Sequence, residues 1–278
     1  ALKKMKEYGD DGVDWRVTDL PTNPGTAKEA PSYWKNNYCT VDIATIDEKA
    51  QELKALSDRY GIKVNALATY LNCADSEARI ESCMTAAAKM GCNRIRVNSL
   101  TYHKGQNYLE TFDQAAAGVK KAEVLARKHG VKADFEMHMG TIPPTASAAY
   151  RLACLFDPRN IGVIYDTGNV IYEGFEEYQM AFEILGPYLD LVHIKNACWV
   201  KKNVDGNEKY VPDWAPFTDG YADFERCFQA LKAVGYDGYV TFEDFSSAES
   251  SEQKLKTDID CIRRIVDAVV RQEEGAHD

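Results

Sequence analysis

The sequence has few of the features that mark membrane proteins or nucleic-acid-binding proteins. No apolar run approaches the roughly 18 residues that a membrane span needs, and we expect no signal peptide. Basic residues are outnumbered, because 33 Lys and Arg face 43 Asp and Glu and give a formal net charge of −10. Such a charge disfavours binding to nucleic-acid backbones. We therefore expect a soluble cytoplasmic enzyme with a small-molecule substrate and with neither a membrane nor a nucleic-acid partner.

Paired cysteines are also missing. The eight cysteines include no Cys-x-x-Cys pair and no zinc-ribbon spacing, so neither a structural zinc site nor a redox motif is predicted. Scattered cysteines in an ordinary α/β enzyme are typical of reduced core thiols in the cytosol. A glycine-rich phosphate-binding loop is absent as well, and the sequence leaves open whether the substrate is phosphorylated.

An alternation of amphipathic helices and short apolar strands runs through the sequence, which is the pattern of parallel βα units. Seven strands are predicted, at residues 13–17, 64–71, 94–98, 133–138, 162–166, 189–194 and 239–243. Eight helices are predicted, at residues 1–8, 46–60, 75–90, 108–129, 145–155, 174–185, 222–234 and 250–271. For a chain of 278 residues, this pattern predicts a single (β/α)8 TIM barrel domain over residues 1–278.

An eight-stranded barrel with seven visible strands lacks one strand. The pattern opens with a helix, and Ala1 is not a start methionine. We therefore expect the first strand upstream of residue 1, in a segment of roughly ten residues, which is the size of a strand and its loop.

Two connections are too long for simple turns, one near residues 18–45 and one near residues 197–220. Both leave the carboxyl ends of strands, the face on which barrel active sites lie. Both also carry aromatic residues, including Trp34 and Trp214. The aromatics are predicted to stack on a sugar or to exclude water as a lid. The alternative is that they only cover the barrel mouth.

Four residues, Glu136, Asp166, His193 and Glu243, each stand at the end of their own apolar run. Parallel strands of a barrel bring such ends to one mouth, so the four side chains are predicted to converge. Three carboxylates and one imidazole form a hard, oxygen-rich ligand set that suits manganese, magnesium or cobalt. Singly, each residue has an ordinary alternative as a solvated acid, a turn residue or a core histidine. Together they predict a divalent-metal centre.

Other polar residues near the strand ends are weaker candidates. His138 shares the strand face of Glu136 and is predicted to act as an acid, a base or a substrate donor, or else to be structural. Lys195 is predicted to hold a substrate oxygen or to stabilise enolate charge, or else to form a buried ion pair. Arg16 and Asn169 are predicted to contact the substrate, and the alternative for Asn169 is helix capping.

The motifs that contain these residues resemble the sugar phosphate isomerase/epimerase superfamily, the xylose isomerase-like TIM barrels. The resemblance covers nearly the whole chain and is fairly specific in its late motifs. It implies a divalent metal held by Glu136, Asp166, His193 and Glu243, with Mn²⁺ expected and Mg²⁺, Co²⁺ or Zn²⁺ as alternatives. It also leaves open a homo-oligomer or a complex with a small subunit. The matching segments are residues 9–16 (with one extra residue in the spacing), 136–138, 157–162, 166–169, 192–196 and 243–245.

One branch of this superfamily, the apurinic endonucleases, has a trinuclear zinc cluster that needs further histidines. In this chain Asn169 stands three residues after Asp166, where that branch has a histidine, and no Asp-x-His pair follows His193. A trinuclear site of that kind cannot be assembled from these residues. Endonuclease activity is therefore not predicted, and the acidic composition agrees with this exclusion.

The predicted reaction is a proton transfer in carbohydrate metabolism. A metal that chelates a carbonyl and its neighbouring hydroxyl acidifies the C–H bond between them and stabilises the enediolate. Glu136 and Glu243 would exchange the proton, with His138 as the alternative base. These groups predict an isomerase or epimerase of a keto sugar or related polyol. The alternatives are a metal-dependent lyase or dehydratase, acting on an oxidised sugar, an inositol ketone or a 3-keto-C-glycoside, and a non-catalytic barrel.

Overall fold

The computed structural model of the chain describes residues 1–20, 37–247 and 249–274. The chain forms two compact units, and its assignment to a single domain stays a prediction. The first unit comprises Ala1–Leu100, Asp113–Phe135 and Arg159–Ile161, and the second comprises Thr101–Phe112, Glu136–Pro158 and Gly162–Asp278. Within the described part of the chain, no helix has the length and apolar character needed to cross a membrane.

The first unit alternates parallel strands with helices. Its elements, including α4 and β5, which lie mostly in this unit, are α1 (Leu2–Tyr8), β1 (Gly12–Thr18), β2 (Val41–Asp42), α2 (Ile46–Tyr60), β3 (Lys63–Thr69), α3 (Glu77–Met90), β4 (Arg94–Arg96), α4 (Tyr108–His129) and β5 (Lys132–Glu136). The strands lie in the order β2-β1-β3-β4-β5, and every neighbouring pair is parallel.

The second unit continues the alternation and adds a hairpin. Its elements, including β6, which lies mostly in this unit, are α5 (Ala146–Ala153), β6 (Ile161–Asp166), α6 (Asn169–Tyr172), α7 (Tyr178–Leu185), β7 (Leu189–Ile194), β8 (Asn196–Val204), β9 (Asn207–Ala215), α8 (Phe224–Ala233), β10 (Val240–Phe242) and α9 (Ser251–Glu274). Strands β6, β7 and β10 are parallel and lie in that order. Strands β8 and β9 pair with each other in antiparallel fashion.

The local sequence explains why these elements form. All six residues of β6 are buried, as expected of a parallel strand with an almost continuous apolar run. Helix α8 begins after Asp223, whose side chain accepts a hydrogen bond from the Arg226 N–H, an ordinary N-cap. Its buried residues Phe224, Cys227 and Leu231 recur at helical spacing and give the helix one apolar face.

All seven predicted strands and all eight predicted helices are present, with ends that differ by a few residues. Strand β2 and helix α6 were not predicted, because elements of two and four residues are too short to produce a periodic pattern. Trp34 of the first long connection falls on residues 21–36, which lie outside the described residues, so its role stays a prediction. The strand expected before Ala1 stays a prediction too.

Most of the second long connection, near residues 197–220, forms a β-hairpin that was not predicted from the sequence. Strands β8 and β9 have nine residues each and pair from Asn196 with Ala215 to Val204 with Asn207. Asp205 and Gly206 join them with φ angles of 52° and 80°. Positive φ at both central residues defines a type I′ turn, for which Asp-Gly is a preferred sequence. This dipeptide is the sequence signal from which the hairpin could have been predicted.

Asp258 on α9 carries a buried carboxyl group whose ionisation opposes folding. Burial raises the pKa of Asp258 to about 7, with a contribution from Asp244 that Lys254 opposes. The unfolded chain ionises such a group near pH 4. The native state therefore binds more protons between about pH 4 and pH 7, and stability falls as the pH rises through this interval.

We expect Asp258→Asn to stabilise the protein by at least about 1 kcal/mol at pH 8 and to have little effect at pH 4, where the carboxyl group is protonated. Urea unfolding at the two pH values measures this difference. Asp260→Asn is the matched control, because Asp260 is exposed on the same helix. An equal effect of Asp258→Asn at both pH values would refute the explanation.

Candidate metal centre

Glu136, Asp166, His193 and Glu243 meet in the second unit, where one ligand atom from each lies within 4.8 Å of the others. Strand ends bring them together, since Glu136 ends β5, Asp166 ends β6, His193 precedes the last residue of β7, and Glu243 follows β10. The strand register places Asp166 opposite His193. Glu243 comes two residues after Thr241, which pairs with His193, so it lies on the same face of the sheet. The carboxyl ends of parallel strands thus supply the whole cluster.

The spacing within the cluster suits ligands of one ion better than hydrogen-bonded partners. The His193 Nδ1 atom lies 3.6 Å from Glu136 Oε1, 3.6 Å from Glu243 Oε1 and 4.0 Å from Asp166 Oδ2. These separations exceed the limit of about 3.2 Å for an N–H···O hydrogen bond. Atoms that each lie about 2.1 Å from one ion are about 3 to 4 Å from one another. The donor set therefore fits a divalent ion in its spacing.

The net charge of the cluster also fits a divalent ion. Glu136, Asp166 and His193 are buried and Glu243 is half-buried. The Lys195 ammonium lies 2.9 Å from Asp166 Oδ2 and 2.7 Å from Glu243 Oε2. With His193 neutral, three carboxylates and one ammonium carry two excess negative charges, which one divalent cation would neutralise. Because buried charges need compensation, the residues fit such an ion in charge as well as in spacing.

The ionisable groups of the cluster shift one another's pKa values. Burial raises the pKa of Asp166 to about 6, although the positive charge of Lys195 lowers it. The negative charges of Glu136 and Glu243 also raise this pKa. Burial acts against the charge of Lys195, but the carboxylates of Asp166, Glu243 and Glu136 outweigh it and raise the pKa of the ammonium. Lys195 is therefore positively charged at neutral pH.

The side-chain amide of Asn169 forms hydrogen bonds within the cluster. Its side chain is fully buried, and Nδ2 donates hydrogen bonds to Glu136 Oε1 and to the Met137 carbonyl, both at 3.1 Å. Its backbone N–H donates to Asp166 Oδ1 at 2.8 Å, and its Oδ1 accepts from Lys195 Nζ at 3.4 Å. Asn169 thus orients Glu136 and Asp166, while its contact with a substrate stays a prediction.

His138 and Arg16 have other partners. The His138 Nδ1 atom lies 2.8 Å from the Met139 carbonyl oxygen. Because a carbonyl oxygen only accepts, Nδ1 carries the proton, and Nε2 is the nitrogen that can receive another. Arg16 belongs to the first unit, where it donates to Thr40 Oγ1 at 2.6 Å and lies 4.9 Å from the centre of the Tyr70 ring. The predicted catalytic role of His138 and the substrate contact of Arg16 stay predictions.

Sequence reasoning missed the aromatic cluster around Lys195. The Trp214 ring, on β9, lies 4.4 Å from the Tyr172 ring and 5.6 Å from the Phe245 ring between centres. The Lys195 ammonium lies 5.2 Å from the centre of the Trp214 ring and 4.7 Å from that of Phe245. The sequence singled out Trp214 only as a loop aromatic, because its contact with Lys195 depends on the hairpin.

Comparisons with known proteins point to one family. Residues 4–265 match the sequence model of the xylose isomerase-like TIM barrel family. An inosose dehydratase of Clostridium perfringens (strain 13 / Type A) is 30% identical over 146 residues, in an alignment that covers 48% of this chain and 47% of that protein. A 2-oxo-tetronate isomerase of Haemophilus influenzae is 26% identical over 215 residues, in an alignment that covers 71% of this chain and 78% of that protein. The chain spans about half the length of the inosose dehydratases that it matches.

A solved structure of a xylose isomerase-like TIM barrel protein has a similar fold. The structure of a xylose isomerase-like TIM barrel protein from Mycobacterium smegmatis, in complex with magnesium, superposes with a TM-score of 0.70 at 17% identity. The superposition covers 96% of this chain and 87% of that one. At such low identity the likeness concerns the fold alone.

Proposed function

Since the chain belongs to the xylose isomerase-like TIM barrel family, we propose that it is a divalent-metal-dependent isomerase or epimerase of a keto sugar or related polyol. Membership of the family confirms the predicted fold class, a (β/α)8 TIM barrel. The observation that carries the proposed function is the cluster of Glu136, Asp166, His193 and Glu243. Similar proteins include an isomerase and dehydratases, and both types of reaction can begin with removal of a proton beside a carbonyl group.

Glu136, Asp166, His193 and Glu243 are the proposed ligands of the ion, with Mn²⁺ expected and Mg²⁺, Co²⁺ or Zn²⁺ as alternatives. When bound, a divalent cation supplies a Lewis acid that makes the C–H bond beside a carbonyl group more acidic. Burial of these side chains excludes bulk water and strengthens their electrostatic interactions. The fixed positive charge of Lys195 favours negative charge that develops on a substrate oxygen.

Glu136 and Glu243 are the proposed acid–base pair, and they come from different strands. One carboxylate takes the proton as the C–H bond breaks, and the electron pair moves into the carbonyl group to give an enediolate. The other group, which must first take up a proton from water and act as a carboxylic acid, gives that proton to carbon, on the opposite face for an epimerase or at the neighbouring carbon for an isomerase. His138 is the alternative base, because its Nδ1 donates to a carbonyl oxygen and its Nε2 can accept a proton.

Lys195, Arg16 and Asn169 remain the proposed substrate-binding residues. For Lys195 the contacts favour an electrostatic role over direct hydrogen bonding, since its ammonium already has oxygen partners in Asp166, Glu243 and Asn169. The proposed substrate is a small sugar or glycoside. A homo-oligomer and a complex with a small subunit stay predictions of the family resemblance.

The second candidate function is a lyase or dehydratase that acts on an oxidised sugar, an inositol ketone or a 3-keto-C-glycoside. An enediolate that carries a leaving group on the adjacent carbon expels it instead of being reprotonated. Similarity to inosose dehydratases favours this alternative, although it covers about half of their length. The same four ligands and the same base would serve both reactions.

Incubation with a panel of ketoses in deuterated water tests the proposed function. The proposed enzyme exchanges the proton beside the carbonyl group for deuterium and forms the epimer or isomer, both of which NMR detects. Protein treated with a chelator is the control and should show neither change. Absence of exchange with every ketose, in protein that contains a bound divalent ion, would contradict the isomerase proposal.

A parallel incubation with inososes and 3-keto-glycosides distinguishes the two candidates. A lyase or dehydratase releases water or the aglycone and leaves an unsaturated ketone, which absorbs in the ultraviolet. An isomerase or epimerase gives a product of unchanged mass. Mass spectrometry of the products therefore assigns the reaction class.

A further inference from the structure

Lys195 has a tightly fixed backbone and stem. Its N–H donates to Thr167 Oγ1 at 2.9 Å, and its carbonyl accepts from the same hydroxyl at 2.6 Å. The stem passes directly against Gly168, where an added Cβ would lie 2.8 Å from both Cβ and Cγ of Lys195. No larger residue fits at position 168 unless Lys195 moves. These contacts therefore fix the direction of the Lys195 side chain.

The ammonium group of Lys195 ends among oxygen atoms of the metal centre. It lies 2.9 Å from Asp166 Oδ2, 2.7 Å from Glu243 Oε2 and 3.4 Å from Asn169 Oδ1. An ammonium has three N–H donors, and these three oxygens supply a partner for each. Lys195 thus acts inside the centre.

Two of the three proposed ligand carboxylates form ion pairs with Lys195. Asp166 Oδ1 accepts the N–H groups of Gly168 and Asn169 at 2.9 Å and 2.8 Å, so Oδ2 is the oxygen that faces His193. That same Oδ2 contacts Lys195. Glu243 directs Oε1 towards His193 and Oε2 towards Lys195. A positive charge in contact with both carboxylates weakens their attraction for a second cation.

Aromatic rings close the remaining side of the ammonium. Trp214 and Phe245 lie within 5.2 Å and 4.7 Å of it, measured to the ring centres, at distances typical of cation–π contacts. Trp214 is packed against Tyr172. Because its ring already contacts Tyr172, Phe245 and Lys195, Trp214 is better placed to hold the lysine than to serve as a platform for a sugar.

The base of the hairpin fixes Trp214 in this position. Asn196, the first residue of β8, accepts the N–H groups of Ala197 and Ala222 with Oδ1, both at 2.9 Å, and donates from Nδ2 to the Phe217 carbonyl at 3.0 Å. These bonds tie the start of the hairpin to the chain that follows it. Trp214 pairs with Ala197 in the hairpin, two residues after Lys195, which lies between β7 and β8.

We propose that Lys195 is a built-in counter-cation of the metal centre that lowers its affinity for divalent ions, and that Trp214 is the positioning residue that keeps it there. This inference rests on the proposed function, because it assumes that the four ligands hold an ion. It adds a determinant of metal affinity, since Lys195 contacts two proposed ligands without being a ligand itself. With the ion bound, Lys195 brings the formal charge of the centre to zero.

Metal affinity in Lys195→Met tests the first half of the proposal. Chelator competition with Mn²⁺, or calorimetry, should give at least tenfold tighter binding than in the unaltered protein. Lys201→Met is the matched control, since Lys201 lies exposed on the hairpin and pairs with Glu208, and its affinity should stay within about twofold. Unchanged or weaker binding in folded Lys195→Met, as judged by circular dichroism, would overturn the proposal.

A double-mutant cycle tests the role of Trp214. Trp214→Leu should tighten Mn²⁺ binding severalfold in the presence of Lys195 and should have no effect in the Lys195→Met background. Trp199→Leu is the control, because Trp199 lies on β8 of the same hairpin and its indole N–H donates to the Ile171 carbonyl of α6. An equal effect of Trp214→Leu in both backgrounds would overturn the positioning role. If Lys195→Met does not fold, Trp214→Leu alone carries the test, and unchanged affinity in it would refute the proposal.

Metal binding to the unaltered protein distinguishes failure of the proposed function from failure of the proposed role of Lys195. If the unaltered protein binds no divalent ion, the proposed function fails together with this inference. If it binds one ion and Lys195→Met binds it no more tightly, only the inference about Lys195 fails.

Discussion

Glu136→Gln is expected to lower kcat/KM by at least about a thousandfold while the fold stays intact. The substitution removes one of three ligand charges and one of the two proposed proton-transfer groups. It keeps the size of the side chain and an oxygen that can accept the bond from Asn169 Nδ2. The loss should therefore appear in the chemistry and in metal binding, and not in the folded state.

Steady-state kinetics, circular dichroism and metal analysis of Glu136→Gln check this expectation together. Glu110→Gln is the matched control, since Glu110 is exposed in the first turn of α4, and its kinetics should be unchanged. Activity within tenfold of the unaltered protein would show that Glu136 is neither an essential ligand nor the base.

Removal of the metal with a chelator is expected to abolish activity and to lower the stability of the protein. Glu136, Asp166 and Glu243 would then face one another with Lys195 as their compensating charge, and like charges repel strongly in a buried site. Saturation with an ion at a hundred times its Kd contributes about 2.7 kcal/mol of stability. Thermal unfolding with and without chelator measures this contribution.

Restoration of activity identifies the ion. Mn²⁺ is expected to restore activity best among Mn²⁺, Mg²⁺, Co²⁺ and Zn²⁺. A monovalent salt at equal ionic strength is the control, because it screens charge without occupying the ligands. Full activity in chelated, metal-free protein would rule out a metal-dependent reaction.

The fold and the position of the cluster were predictable from the sequence for a definite reason. Asp166 and His193 each end a continuous apolar run, and parallel strands place all their carboxyl ends on one side. Glu243 follows the same rule one residue beyond β10. Convergence of these residues thus followed from topology alone, before any side-chain contact was known.

Contacts that depend on tertiary packing were not predictable in this way. The amide of Asn169 bonds to Glu136, which lies 33 positions earlier in the chain, and no local pattern reveals that contact. Trp214 reaches Lys195 only because a hairpin returns the chain. The Asp205–Gly206 pair signalled that turn, but the alternation of apolar residues along β8 and β9 is weak, since most of their side chains are exposed or half-buried.

Charge balance links these observations. Three carboxylates on neighbouring strand ends carry negative charge that needs compensation, and the Lys195 ammonium supplies part of it. Gly168 leaves room for the Lys195 stem, and the Trp214 ring contacts the ammonium. One divalent ion would neutralise the two negative charges that remain. The proposed metal site and the proposed role of Lys195 therefore follow from the same accounting of buried charge.

Anomalous diffraction from crystals grown with MnCl₂ tests the central claim most directly. The account predicts one strong peak at the manganese edge, with Glu136, Asp166, His193 and Glu243 as its protein ligands. A peak bound by other residues, or no peak among these four side chains at a saturating Mn²⁺ concentration, would contradict it.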